Sequence, residues 1–475
     1  MKKIIAIFLA VTLVLSLGLL TGCAGSGTTA KEPNFKVPES GYDGSAVTIK
    51  FYNTMGTNLR PVLDSYIVEF NKMFPNITIE VTKIGEYDDV REQVATELTV
   101  GNQPNIAYCY PDHVALYNIT GKVVTLDNLI NSKLEVTDVN GNKQILGLTD
   151  AQKADFIEGY YNEGKQFGDG LMYTLPLSKS TEVLYYNKTF FTEHNIAVPT
   201  TWDELEEVCK KIKQIDPQSI PLGYDSEANW FITMCEQYKS PYTSATGDHF
   251  LFDNDTNKNF IKRFRKMYQD GLLTTQTIYG AYTSGLFVNI KEGETHSYMS
   301  IGSSAGATHQ RPTMVNGEYP FEVGIATIPQ VDANNKKVIS QGPSLCILES
   351  ENVQETVASW LFVKYLTTTV EFQAEFAMAS GYVPVLKSVA NHKVYKEFLD
   401  NADGGDNIAA LSAKVCMQQE SAYYTSPAFN GSSAARDQVG ALLVNCLTGK
   451  WTDSELDAKI NQAFKDAIDE CEYSI

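Results

Sequence analysis

Metal-binding and redox spacings are missing from this 475-residue chain, which has eight cysteines and six histidines. No CxxC and no HExxH occurs, so the common zinc frames are excluded. Apart from Cys23, the cysteines at 109, 209, 235, 346, 416, 446 and 471 form an odd set without paired spacing. That argues against a disulfide framework, although individual pairings stay open. Most sit among apolar neighbours, as in "NIAYCY" and "PSLCIL", where cysteine behaves as a small core residue. "DNDTNKNF" (253–260) starts like a calcium loop, but Lys258 stands where glycine is needed and Phe264 where the bidentate glutamate belongs. No metal and no cofactor is therefore expected. A phosphate-binding glycine loop is absent too, so the chain is not expected to hydrolyse a nucleoside triphosphate itself. Positive charge is also scarce, with 38 Lys and Arg against 57 Asp and Glu and a net charge of −19. This argues against nucleic acid and against electrostatic membrane binding, and suits neutral, sugar-like ligands. No repeat of 20–50 residues occurs, and beyond the first 20 residues no apolar run is long enough to span a bilayer.

The N-terminus does carry such a run. Lys2 and Lys3 precede an apolar stretch from Ile4 to Leu20, closed by Leu20-Thr21-Gly22-Cys23. A charged start, an apolar centre and small residues at a cut site describe an export signal. L-T-G-C resembles the lipobox of bacterial lipoproteins, which implies a signal peptide over 1–22 and lipidation of Cys23. The expected location is the extracellular face of the cell membrane, tethered by that lipid. An uncleaved anchor helix is the alternative. Residues 23–46, rich in Gly, Ser, Thr and Pro, read as a flexible tether. From Val47 onward roughly 430 residues remain, enough for two or three domains.

"VTIKFY" (47–52) alternates Val47, Ile49 and Phe51, the pattern of a strand. Leu59, Val62, Leu63, Tyr66, Ile67, Phe70 and Phe74 then recur at helical spacing, and "ITIEV" (77–81) begins another strand. This is a βαβ unit, hence a parallel sheet. "NIAYCY" is a further strand, with "PDHVALYN" leaving its C-terminal end. A second unit starts at "TEVLYYNKTFF", and Thr201 with Glu204 forms a capping box for the helix that follows. Helical patterns cover 257–271. The strands "SYMSI", "FEVGIATIP" and "ISQGPSLCIL" come next. Helices at 352–379, 433–447 and 453–470 end the chain, the last with a second capping box, Thr452 to Glu455. "DVNGNK" (138–143) reads as a hairpin turn. Sheet, helix, sheet, helix suggests two α/β lobes that the chain crosses more than once.

In order, these segments resemble the extracellular solute-binding proteins of ABC importers, in the branch serving sugars and glycerol phosphates. The resemblance rests on Leu175-Pro176, Tyr185-Tyr186-Asn187-Lys188, Pro199-x-Thr201-Trp202-x-Glu204-Leu205, "GIATIP" (324–329), "SQGPSLCIL" (340–348) and "SGYVPVLKSV" (380–389). It implies the type II periplasmic-binding-protein fold, two α/β lobes joined by hinge strands, closing on a ligand. The expected lobes are 47–177 with 297–340, and 178–296 with 341–475. It also implies a monomer that hands a carbohydrate to ABC permease subunits and, through them, to an ATPase. Ligand contacts carried over are Ser178 and Ser180 before the Tyr-Tyr-Asn-Lys segment, Gly342 where the returning strand approaches ligand, and Tyr382. Tyr87, Tyr110 and Asp112 lie at C-terminal ends of early strands, where open α/β sheets bind ligands. Asp112 equally suits a helix cap. Trp230 suits stacking on a sugar or packing in the core. The glycerol-phosphate side of the family carries a late arginine for the phosphate. Here Ala428-Phe429 falls in its place, and Arg436, about two turns later, reads as structural. Phe429 is therefore expected to favour a sugar over a phosphodiester.

Gly302-Ser303-Ser304-Ala305-Gly306 spells G-x-S-x-G, the nucleophile elbow of α/β-hydrolases. On paper Asp332 and His392 complete the order serine, acid, histidine. No HGGG-type oxyanion segment exists, and His309 is too close in sequence to be the usual partner. The other reading is a glycine-flanked turn whose N–H groups and Ser303 and Ser304 hydroxyls hold ligand. An exported esterase or glycosidase using Ser304 thus stands beside a solute receptor.

Overall fold

In the computed structural model, which describes residues 31–475, Val47, Ile49 and Phe51 form the buried face of strand β1 (Val47–Asn53). Helix α1 (Arg60–Met73) buries Leu63, Tyr66 and Phe70, and β2 (Ile77–Lys83) runs parallel to β1. A capping box between Glu86 and Asp89 opens α2 (Tyr87–Val100), and Gly101 ends it in the left-handed conformation. Strand β3 (Ile106–Cys109) adds parallel to β1, and Pro111 begins α3 (Pro111–Tyr117) directly at its C-terminal end. The expected turn at 138–143 joins a hairpin of β4 (Glu135–Thr137) and β5 (Lys143–Ile145). Helix α4 (Glu158–Glu163) and β6 (Thr174–Pro176) complete this passage.

Leu177–Lys179 then carries the chain into β7 (Ser180–Asn187), on which a second sheet is built. Helix α5 (Trp202–Ile215) starts at the Thr201/Glu204 capping box. After it come β8 (Leu222–Tyr224), α6 (Glu227–Gln237), α7 (Asp255–Gln269), β9 (Leu273–Thr275), β10 (Met299–Ser303), β11 (Val323–Thr327) and β12 (Val338–Gln341). At Gly342-Pro343 the chain returns to the first lobe. There β13 (Ser344–Ile347) lies antiparallel between β3 and β6, giving the order β2-β1-β3-β13-β6. Helices α8 (Val353–Thr368) and α9 (Val370–Ser380) cover that sheet, with Phe362 against Phe51 and Phe372 against Tyr66. A last crossing leads to β14 (Tyr423–Tyr424), α10 (Ser432–Thr448) and α11 (Leu456–Tyr473). The second sheet has the order β14-β12-β7-β10-β8-β9, with β11 also on β7. Val439, Leu442 and Phe464 join Trp230 and Phe264 in its core. The result is two α/β lobes and three crossings.

Several expectations are corrected. Residues 297–340 do not belong with 47–177: β10 and β11 pair with β7, and so does β12. Conversely, β13, α8 and α9 belong to the first lobe, so 341–475 is divided between the lobes. The run "ISQGPSLCIL" is two strands, because Gly342 takes φ of +90° and turns the chain between sheets. The 352–379 helix is broken at Thr369. Glu455 bonds back to Thr452, yet the last helix begins only at Leu456. The stretch expected to tether the domain is packed from Pro33 onward. Asn34 exchanges hydrogen bonds with Thr125 and donates to the Val123 carbonyl, Phe35 is buried, and Tyr42 meets Phe74 edge to face. The seven cysteines within the described residues are all free and buried. Cys23 and the signal segment lie outside the described residues. Among the described residues no helix is long and apolar enough to cross a membrane.

Candidate functional site: the cleft between the lobes

A buried ion pair ties the crossings together. Lys179 and Glu163 are 0% and 2% exposed, and Lys179 Nζ donates to Glu163 Oε1 at 2.5 Å. The same ammonium donates to the Gly342 carbonyl at 3.0 Å and to Ser344 Oγ at 3.1 Å. Glu163 Oε2 accepts from Ser340 Oγ and Thr425 Oγ1, both at 3.2 Å. One carboxylate therefore touches the first lobe, the returning strand and the last crossing. Gly342 is required here: a Cβ would stand 2.6 Å from the Ser178 carbonyl oxygen.

Above this network a cavity of about 410 Å³ opens between the lobes. The first lobe supplies Tyr87, Asp88 and Arg91 from α2, Tyr110 through His113 from the start of α3, and Glu163. The second supplies Ser226 at the N-cap of α6 and Ile232 within it, Tyr242, Tyr282, Ile339 to Gln341 of β12, Thr425 to Pro427, and Ser432, Arg436 and Asp437 of α10. Tyr87 and Tyr110 lean together with ring centroids 4.8 Å apart, and the Tyr87 hydroxyl meets that of Tyr382 at 3.2 Å. Burial pushes the phenols of Tyr87 and Tyr110 well up, and that of Tyr382 up, so all three stay neutral. Asp112 Oδ2 accepts from Ser433 Oγ at 3.0 Å, a bond across the cleft to the first turn of α10. Burial opposes its ionisation. The charges of His113, Arg436 and Arg91 and the Ser433 hydroxyl outweigh that, and hold its pKa below the ordinary aspartate value. Burial lowers the pKa of His113, with Arg91 and Arg436 reinforcing it against the opposing pull of the Asp112 and Asp88 carboxylates. His113 Nδ1 and the Tyr242 hydroxyl are buried without a hydrogen-bond partner among the described residues. Such atoms call for a partner in the cavity.

Tyr87, Tyr110 and Asp112 thus line the cavity, with Tyr382 directly behind Tyr87. Ser178, Ser180 and Gly342 lie in the hinge and do not line it. Four expected contacts are corrected. Trp230 is fully buried, stacked on Tyr224 at 4.7 Å and against Phe264 at 4.4 Å, because α6 turns that side to the core. Phe429 packs on the His249 ring at 4.5 Å, nearly parallel to it. Ser304 is 0% exposed; its Oγ accepts from Thr181 N–H at 3.1 Å and its carbonyl from Ser412 Oγ at 3.1 Å. Ser303 caps the following turn through Ala305 N–H, and His309 is exposed. The G-x-S-x-G turn is therefore a strand-end cap away from the cavity. Arg436 is corrected in the opposite sense. It lines the cavity opposite Asp112, with Nη2 donating to Asn229 Oδ1. Arg91, His113, Glu163, Tyr242 and Tyr282 escaped the sequence reading. Only the i, i+4 placement of Ser432 and Arg436 on one helix face offered a signal.

The family model described as bacterial extracellular solute-binding protein matches residues 65–401. The sn-glycerol-3-phosphate-binding periplasmic protein UgpB of Escherichia coli (strain K12) is 23% identical over 374 residues, 76% of this chain and 80% of that protein. Among solved structures, UgpB from Mycobacterium tuberculosis in complex with glycerophosphocholine is similar with a TM-score of 0.68 and 15% identity, covering 90% of this chain and 99% of that one. The ABC substrate-binding protein Lmo0181 from Listeria monocytogenes, in complex with cycloalternan, has a TM-score of 0.68 and 15% identity, covering 90% and 98%.

Proposed function

The chain belongs to the bacterial extracellular solute-binding proteins, and from that premise we propose that it captures a carbohydrate between its lobes and delivers it to the permease of an ABC importer. The observation that carries the ligand class is the cavity wall, where neutral tyrosine phenols and several carboxylates outnumber the two arginines, Arg91 and Arg436. Arg91 is paired with Asp88 at 3.2 Å, and Arg436 faces Asp112. Neutral hydroxyls find both donors and acceptors there, whereas a free anion would meet the carboxylates of Asp88, Asp112 and Asp437. Tyr87, Tyr110 and Asp112 are assigned ligand contact, with Arg436 and Tyr242 from the other lobe. Ser178, Ser180 and Gly342 shape the hinge, and Tyr382 orients Tyr87. Tyr110-Pro111-Asp112 at the end of β3 is where open α/β sheets place ligands.

Closure brings α3 and α10 together, as the Asp112–Ser433 bond already does, and leaves the ligand between hydrogen-bonding walls. In this reading the protein acts as a monomeric receptor on the extracellular face of the cell membrane, anchored by a lipid on Cys23. The reading is one of binding without turnover, supported by the Ser304 hydroxyl, which accepts from Thr181 N–H outside the cavity. Arg436 favours a second reading, a glycerol phosphate or its diester, since a guanidinium recognises phosphate. A melting-temperature screen of the mature protein against saccharides, polyols and glycerol phosphodiesters separates the two. A ligand at 100 times its Kd adds about 2.7 kcal/mol of stability. A shift with a neutral saccharide is the expected result. A shift with phosphodiesters alone sinks the carbohydrate assignment.

A further inference from the structure

Arg436, on the cavity wall, is shared between two carboxyl groups. Its charge acts on Asp112 across the cleft and on Glu182 of β7, within its own lobe. Asn229 on α6 links it to the second of these. This buried amide accepts from Arg436 Nη2 through Oδ1, and it also acts on the Glu182 carboxyl. Glu182 is 1% exposed and does not line the cavity. The Tyr224 hydroxyl donates to its Oε2 at 2.6 Å, and Oε1 otherwise has no hydrogen-bond partner among the described residues. A buried carboxyl with so few donors favours its neutral form. The other titratable groups facing it are Tyr224 and Asp225 of β8 and Tyr424 of β14. Burial holds both phenols well up, and Asp225 Oδ1 accepts from Thr283 N–H and Oγ1 at 2.8 Å. Protonated, Glu182 leaves Arg436 its full attraction to Asp112 and the cleft. Ionised, it sets a second carboxylate on the inner side of the guanidinium, in competition with Asp112 for the same charge.

We infer that Glu182 is a positioning residue for Arg436, acting through Asn229, and that the cleft binds its ligand with Glu182 protonated and loses affinity when Glu182 ionises. This rests on the reading of the cleft as the ligand site with Arg436 as a contact, and holds for a saccharide or a phosphodiester alike. Burial pushes the Glu182 carboxyl up to about 8, against the pull of Tyr224, Asn229 and Arg436 and with the charge of Asp225 adding to the rise. The change in affinity therefore falls between about pH 7 and 9. Other groups of the wall titrate elsewhere. Asp112 is held below the ordinary aspartate value, burial keeps His113 below the ordinary histidine value, and burial pushes the phenols of Tyr87 and Tyr110 well up. Burial also raises Asp225 and Asp437, and a Glu182→Gln variant separates their titration from that of Glu182. Because linkage is reciprocal, ligand binding near pH 8 must draw a proton onto Glu182.

The test is calorimetric titration of the full mature protein and its Glu182→Gln and Asn229→Ala variants with maltose, xylobiose and glycerophosphocholine. It is run at pH 7, 8 and 9 in pairs of buffers that differ in ionisation enthalpy, so that proton uptake is read directly. For whichever probe binds, the wild-type Kd is expected to be at least threefold higher at pH 9 than at pH 7, with net proton uptake on binding at pH 8. Glu182→Gln should show the same Kd at both pH values and no uptake. Asn229→Ala should raise the Kd at pH 7 at least tenfold and flatten the profile. A flat wild-type profile without proton uptake, a slope that survives in Glu182→Gln, or an unchanged Kd in Asn229→Ala overturns the positioning role while leaving the cleft as the ligand site. Binding of glycerophosphocholine alone sinks the saccharide assignment, and the pH profile of that probe still decides this inference. If none of the three binds the wild-type protein, the reading of the cleft fails and this inference fails with it.

Discussion

Replacing Lys179 by methionine removes the cation from the junction of all three crossings. Glu163 would keep its charge at 2% exposure, with only the hydroxyls of Ser340, Ser344 and Thr425 as donors. Breaking a buried pair on one side costs about 3–5 kcal/mol, because the remaining charge is left without compensation. Lys179→Met is expected at the upper end, since it also strips donors from the Gly342 carbonyl and Ser344 Oγ. In the double variant Lys179→Met/Glu163→Leu no charge is left buried, so at least half of that loss should return. Urea unfolding followed by tryptophan fluorescence and by far-ultraviolet circular dichroism measures both, and a double-mutant cycle isolates the coupling. A Lys179→Met loss below about 1 kcal/mol, or a double variant whose loss equals the sum of the singles, would show that the pair does not hold the crossings together.

Glu182 on β7 gives a pH signature. Burial pushes its carboxyl up to about 8, against the opposing pull of the Tyr224 hydroxyl, Asn229 and Arg436. Its folded pKa lies above the ordinary glutamate value of 4.5, so between those limits the folded state holds a proton that the unfolded state has released. Stability should therefore fall as pH rises from about 4.5 to 8, by up to about 1.4 kcal/mol per unit, and Glu182→Gln should remove that slope in unfolding titrations. Gly342→Ala forces a side chain into φ of +90° and against the Ser178 carbonyl; a loss of about 1–3 kcal/mol or more is expected in the same assay. Ser304→Ala leaves the Thr181 N–H unsatisfied and should cost about 1–3 kcal/mol, with ligand affinity in calorimetry within threefold of wild type.

The first βαβ unit was legible because alternation at Val47, Ile49 and Phe51 and helical spacing from Leu59 to Phe74 are local patterns. Which sheet claims a strand is not local. β10, β11 and β12 carry the same apolar alternation that would suit either lobe, and only their pairing with β7 decides. The crossing inside "ISQGPSLCIL" was hidden for a similar reason: Gly342-Pro343 reads as a bend, and a bend does not say that the chain changes lobe. At the site, Tyr110-Pro111-Asp112 could be found because a strand end followed by a helix start is a general ligand position. Trp230 and Phe429 misled because an aromatic residue looks the same in sequence whether it faces a sugar or a core. Arg436 was missed because its role depends on α10 meeting α3 across the cleft, a contact between residues 321 positions apart for Asp112 and Ser433.

The cleft between Asp112 and Arg436 is proposed to hold a neutral saccharide. The most direct test of this is calorimetric titration of wild type and Asp112→Asn with the saccharide selected by the melting screen. Saturable 1:1 binding to wild type and at least a tenfold rise in Kd for Asp112→Asn, about 1.4 kcal/mol, are expected. Equal Kd values for the two proteins would contradict it.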